Sequence, residues 1–115
     1  MLVLIFMNLL YNAGEAITLS GQKMGLIKLT SRPEEENDKP VVHFELSDNG
    51  TGISAENLPK IFKRGFSTKD KKISGIGLHW CANTIATLRG RLYATSEGEG
   101  HGACFHVMLP LDISD

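Results

Sequence analysis

The sequence predicts an α+β domain, a two-layer α/β sandwich with helices on one face of a mixed, mostly antiparallel sheet. Three observations predict it. An apolar N-terminal stretch repeats at helical spacing, and two segments before residue 50 alternate with period two. A second helical stretch then leads into a glycine-bounded hairpin near the C-terminus. At 115 residues with 42% hydrophobic content, the chain can bury one core and is too short for two ordinary domains.

Each element has its own signal. Leu2, Ile5, Phe6, Leu9, Ala13, Ala16 and Ile17 recur at three- and four-residue steps, so residues 1–19 form a helix that Gly21 can end. Residues 25–32 alternate as a strand, and "PEEENDKP" (33–40) reads as a charged, proline-bounded loop. Residues 41–48 make the second strand. Ser54 is an N-cap for a short helix broken near Pro59. "KRGFSTKDKKIS" (63–74) is an aperiodic basic loop, and Ile76 to Leu88 form a helix with Gly90 as its C-cap. The remainder is a β-hairpin across Gly98–Gly102.

Charge and cysteine usage exclude several classes. Twelve basic and thirteen acidic residues give a net charge of −1, so no global field favours nucleic acid or an anionic membrane. Cys81 and Cys104 lack metal-ligand spacing and read as reduced, packed thiols. "MLVLIFM" has no basic flank, and Asn8 and Asn12 interrupt it short of a membrane span.

Three motifs carry chemistry. In "VVHFELSDNGTGIS", period two puts Asp48 on the same apolar face as Val42, Phe44 and Leu46. A carboxylate there needs a hydrogen-bonding partner, from the protein or from a ligand. An Asn-Gly hairpin is excluded because no alternating strand follows. Gly50, Gly52 and Ala55 fit a dinucleotide fingerprint, but Asp48 would repel a pyrophosphate and Pro59 cuts the helix that should hold it. A ligand's exocyclic amine, such as adenine N6, satisfies the acid, and the glycines let backbone approach a flat ring. In "MNLLYNAGEAI", Asn8 and Asn12 lie one turn apart with Glu15 on the same face, and carboxamide oxygens suit Mg²⁺. In "SGIGLHW", Gly75 and Gly77 open a helix whose free N–H groups favour an anion, with Lys69, Lys71 and Lys72 just upstream.

In this order the motifs resemble the ATP-binding catalytic domain of sensor histidine kinases, in the gyrase, heat-shock chaperone, histidine kinase and mismatch-repair ATPase superfamily. "NLLYNAGEA" resembles the N box, "DNGTGI" the first glycine box and "IFKRGFSTK" the F box. "SGIGLHWCANTIATLRG" and the hairpin after it resemble the second glycine box, so the likeness runs from about residue 5 to Pro110. It implies a Bergerat-type sandwich holding ATP, with Asp48 on the adenine amine and Gly50, Gly52 and Ile53 in that pocket. Asn12 would coordinate Mg²⁺ with Asn8 beside it as the catalytic pair. Phe62 and Phe66 would anchor a lid, Thr68 and Lys69 would contact phosphate, and Gly75, Gly77 and Leu78 would form the phosphate-binding turn.

One position discriminates within the superfamily. Hydrolysing members carry a glutamate base four residues before the metal asparagine. Asn8 stands there instead and cannot take a proton at neutral pH. The resemblance therefore implies phosphoryl transfer to a histidine on a separate dimerisation domain, and onward to the receiver domain of a response regulator. The alternatives are a non-catalytic nucleotide-sensing or interaction module on the same fold and an anti-sigma-type serine kinase. His43, His79, His101 and His106 do not match the phospho-accepting histidine and read as ordinary structural or surface groups. The resemblance further implies a single domain over residues 1–115, truncated at its N-terminal edge. It would be cytoplasmic, with no nucleic-acid partner and no direct membrane contact.

Overall fold

The computed structural model describes residues 2–63 and 77–111. Helix α1 runs Leu2–Ser20 and helix α2 Leu78–Thr87. The strands are β1 (Ile27–Glu36), β2 (Lys39–Asp48), β3 (Arg91–Thr95) and β4 (Ala103–Pro110), in the spatial order β1-β2-β4-β3. Every described strand pair is antiparallel, so the parallel component expected of a mixed sheet is absent among the described residues.

The helices cover one sheet face because period two gives that face its apolar residues. Leu46 of β2 and Phe105, Val107 and Leu109 of β4 pack against Ile5 and Leu9 of α1 and Cys81 and Ile85 of α2. Phe6 meets Phe44 edge-on at 5.3 Å between ring centroids, which seats α1 over β2. By length and composition α1 could cross a membrane, but here it lies on the sheet with Ile5, Asn8, Leu9 and Ala13 buried.

Residues 33–40 are not a loop. β1 runs through Pro33 to Glu36, and a two-residue turn at Asn37–Asp38 returns the chain into β2. Both turn residues have positive φ, 54° and 65°, as a tight hairpin of right-handed twist requires. The acidic run sits on an exposed strand and finds basic partners there. Arg32 pairs with Glu34 and Glu45, and Arg91 hydrogen-bonds Glu36.

Three further expectations change. Pro59 begins a 3-10 turn (Leu58–Lys60) rather than breaking a helix, since its missing N–H and fixed φ suit a first turn. The N-cap of that turn is Asn57, not Ser54; the Ser54 hydroxyl accepts the Asn57 N–H at 3.1 Å and so closes the turn that precedes it. At the end of α2 the left-handed residue is Arg89 (φ 66°), not Gly90. The Arg89 N–H donates to the Ala86 carbonyl and the Gly90 N–H to that of Ile85, which makes a Schellman cap. Gly90 is required for space, because a Cβ there would lie 2.3 Å from the Met108 carbonyl oxygen.

Candidate nucleotide-binding site

Asp48 ends β2 on the helix-covered face, half-buried, in register with Ala103 of β4. Its Oδ1 accepts the Gly50 N–H at 2.8 Å. Burial pushes its carboxyl above the usual range, opposed by the backbone N–H groups of Gly50 and Ala103. The protein thus supplies part of what the acid requires. A carboxylate has roughly four acceptor positions, so two backbone donors leave capacity for a ligand's N–H.

The loop after Asp48 is clamped from both sides. On one side the Thr51 N–H donates to the Ala16 carbonyl at 3.2 Å, and a Cβ on Gly50 would lie 2.6 Å from the Ala16 carbonyl carbon. On the other, the Gly100 N–H donates to the Thr51 carbonyl at 2.6 Å and the Ile53 N–H to Ser96 Oγ at 3.0 Å. Gly52 has φ 76°, and its Cβ direction is filled by the Gly98 carbonyl. Close contact with α1 and with the β3–β4 turn therefore already requires both glycines within the fold itself.

That clamp fixes the rest of the arrangement. Asn12 lies one turn before Ala16 on α1, and Asn8 one turn earlier still, so a single helix stripe runs from the loop past both carboxamides. Asn8 is buried and Asn12 half-buried. Phe62 packs edge-on against Phe105 at 6.2 Å, and Phe105 is two residues along β4 from the partner of Asp48. Asp48 and Phe62 thus frame the same end of the sheet. Gly77 caps α2 in an extended conformation without a side-chain cap, and Leu78 packs at the edge of the core. Phe66, Thr68, Lys69 and Gly75 lie outside the described residues, as do Lys71 and Lys72.

Two contributors were not expected. Asn49 accepts the Leu26 N–H at 2.9 Å through Oδ1 and donates from Nδ2 to the Met24 carbonyl at 3.0 Å, fastening the α1–β1 connection to the glycine loop. His79 donates from Nδ1 to the Phe62 carbonyl at 3.2 Å, while Asn83 donates to its Nε2 at 3.1 Å. This histidine joins the first turn of α2 to the segment carrying Phe62. The spacing of His79 and Asn83, one turn apart, was the available signal.

Residues 1–113 match the family described as histidine kinase-, DNA gyrase B- and HSP90-like ATPase. The chain belongs to that family. As a member of this ATPase family it is an ATP-binding domain, and its α+β sandwich agrees with its structural relatives. It is 36% identical over 112 residues to the sensor protein CitS of Halalkalibacterium halodurans, covering 96% of this chain and 20% of that protein. The sensor protein FixL of Bradyrhizobium diazoefficiens is 34% identical over 106 residues, covering 92% of this chain and 20% of FixL. A nucleotide-free form of the catalytic domain of histidine kinase ThkA superposes with a TM-score of 0.70 at 28% identity, covering 92% of this chain and 62% of that one. The chain thus spans about a fifth of the length of the curated relatives CitS and FixL.

Proposed function

We propose that residues 1–115 form one domain, the ATP-binding catalytic part of a cytoplasmic two-component sensor histidine kinase. The reading rests on one observation above others: a half-buried carboxylate with acceptor capacity to spare, at the mouth of a loop clamped between helix and hairpin. Asp48 accepts the adenine amine, while Gly50, Gly52 and Ile53 hold the loop that carries it in place. The N-terminus of α2 at Gly77 and Leu78, whose first N–H groups have no partner within the helix, favours phosphate oxygens, as Gly75, Thr68 and Lys69 do in the matching boxes. Phe62 and Phe66 anchor the cover over the nucleotide.

The asparagines fit a hard divalent cation. A carboxamide oxygen on the half-buried Asn12 is a suitable Mg²⁺ ligand, with Asn8 behind it in the helix. Held there, Mg²⁺ would neutralise charge during transfer of the γ-phosphoryl group. Asn8 occupies the position of a hydrolytic base and cannot abstract a proton, so the site favours transfer to an external nucleophile over water. That nucleophile is a histidine on the dimerisation domain of the parent kinase, and a response-regulator receiver domain is the next acceptor.

Calorimetric titration of the purified chain with Mg·ATP tests the binding step. Binding by the wild type and weaker binding by Asp48→Asn are expected. Transfer to the parent's dimerisation domain tests the chemistry. ATP binding without any transfer would favour a nucleotide-sensing module, and no binding at all an interaction module.

A further inference from the structure

The sheet face opposite the helices carries a polar cluster on buried strands. Odd residues of β2 and even residues of β4 point to this face, so the register brings Glu45 opposite His106, with His43 two residues along β2 on the same face. His43 and His106 are 5% and 8% exposed. His43 Nε2 lies 2.9 Å from His106 Nδ1, and each of these nitrogens lies 3.7 Å from Glu45 Oε2. We propose that His43, His106 and Glu45 form a binding site for a borderline transition-metal dication such as Zn²⁺, on the sheet face remote from the nucleotide.

Distance supports this first. Three atoms with those separations share a point about 2.0 Å from each, the bond length zinc takes to imidazole nitrogen and carboxylate oxygen. Two imidazoles with one carboxylate prefer zinc, copper or nickel over Mg²⁺, which separates this site from the one on α1.

Tautomers support it next. Glu34 Oε2 lies 2.9 Å from His43 Nδ1 and Arg32 Nη2 lies 3.2 Å from it; once a metal has displaced Arg32, Nδ1 donates to Glu34 and Nε2 offers its lone pair inward. His106 Nε2 lies 3.0 Å from Thr95 Oγ1, which serves as acceptor once His106 carries its hydrogen there. Nδ1 of His106 then also points a lone pair inward, and the metal takes the place of the hydrogen now shared with His43 Nε2, which moves to an outer ring nitrogen. Each proposed ligand histidine therefore has an outer partner orienting it, as ligating histidines usually do. Tyr93 stacks on His106 at 4.4 Å and shields that side.

Arg32 competes for the same carboxylate. Its Nη2 donates to Glu45 Oε2 at 3.1 Å and its Nε to Glu34 Oε2 at 2.7 Å, and its side chain is 48% exposed, so water can replace both bonds. An entering dication would displace it, leaving Glu34 and Glu45 to offset the metal's charge.

Zinc uptake by the purified 115-residue chain, without nucleotide or phosphate, is measured by competition with a chromogenic chelator. One equivalent should bind. Glu45→Gln and His106→Gln should each weaken binding by on the order of a hundredfold, and Glu34→Gln by roughly tenfold. Arg32→Ala should tighten it several-fold, while His101→Ala and Cys104→Ser leave it unchanged. Circular dichroism checks folding. If His106→Gln does not fold, the two changes at partly exposed side chains, Glu45→Gln and Arg32→Ala, decide. Absent zinc uptake, uptake indifferent to Glu45→Gln, or weaker uptake in Arg32→Ala would each overturn the site.

Discussion

A Cβ on Gly52 would lie 2.2 Å from the carbonyl oxygen of Gly98, far inside any tolerated contact. The glycine loop and the β3–β4 turn are therefore backbone against backbone, and neither moves without the other. Gly52→Ala meets both this clash and a left-handed φ of 76°. It should cost about 2–5 kcal/mol, the strain and overpacking terms together. Gly100→Ala is the control, because its φ of 85° is equally left-handed but nothing lies within 4 Å of the added carbon. It should cost only about 1–2 kcal/mol. Urea unfolding of both variants measures the difference.

In the proposed site, Asp48 would set stability against binding. Its pKa is raised by burial, so the folded state holds this proton more tightly than the unfolded chain does. The associated stability is fully present below the unfolded pKa and is lost as pH rises through the folded one. Asp48→Asn should therefore leave the nucleotide-free protein at neutral pH as stable as the wild type or more so, with a flatter stability profile at acid pH. ATP affinity should fall by about 10–100-fold with the loss of a charge-assisted hydrogen bond. Thermal melts across pH and calorimetric titration provide the two readings.

Arg89 carries the left-handed residue of the cap after α2 at φ 66°. A side chain pays a steric penalty there that glycine does not, partly offset by glycine's greater freedom in the unfolded chain. Arg89→Gly should stabilise the protein by about 0.5–1 kcal/mol. A lowered denaturation midpoint would contradict the assignment of the cap.

The two thiols should differ in reactivity. Cys81 is 0% exposed, and burial pushes its pKa to about 11, so the nucleophilic thiolate is scarce at neutral pH. Cys104 is half-buried, its thiol also raised, first by burial and then by Glu45 and Asp48. A disulfide reagent at pH 7.5 should label Cys104 first and reach Cys81 only on the timescale of global unfolding. Mass spectrometry of peptides from a labelling time course tests this.

Much of this was legible in the sequence, for stated physical reasons. Period two in β2 and three-to-four spacing in α1 fixed which residues face the core, and Asp48 does end β2 on that face. The run 33–40 misled because exposed strands show no apolar alternation. The useful signal was Asn37–Asp38, two residues that tolerate positive φ, rather than the charges around them. Gly50 and Gly52 were rightly singled out for a close approach, but what approaches is Ala16 and Gly98. His43 and His106 looked ordinary because 63 residues separate them along the chain. Only the register of β2 with β4 brings them together.

β4 follows every other described element in the chain yet occupies the middle of the sheet, with Phe105 to Leu109 covered on both faces. During synthesis the β1–β2 ribbon can zip as soon as it emerges, but β2 alone covers only part of α1's inner stripe until the final strand arrives. The domain must consequently wait, partly collapsed and with greasy surface showing, until translation has delivered almost its entire length. Chaperone engagement should be heaviest in that interval and should end when Pro110 clears the ribosomal tunnel.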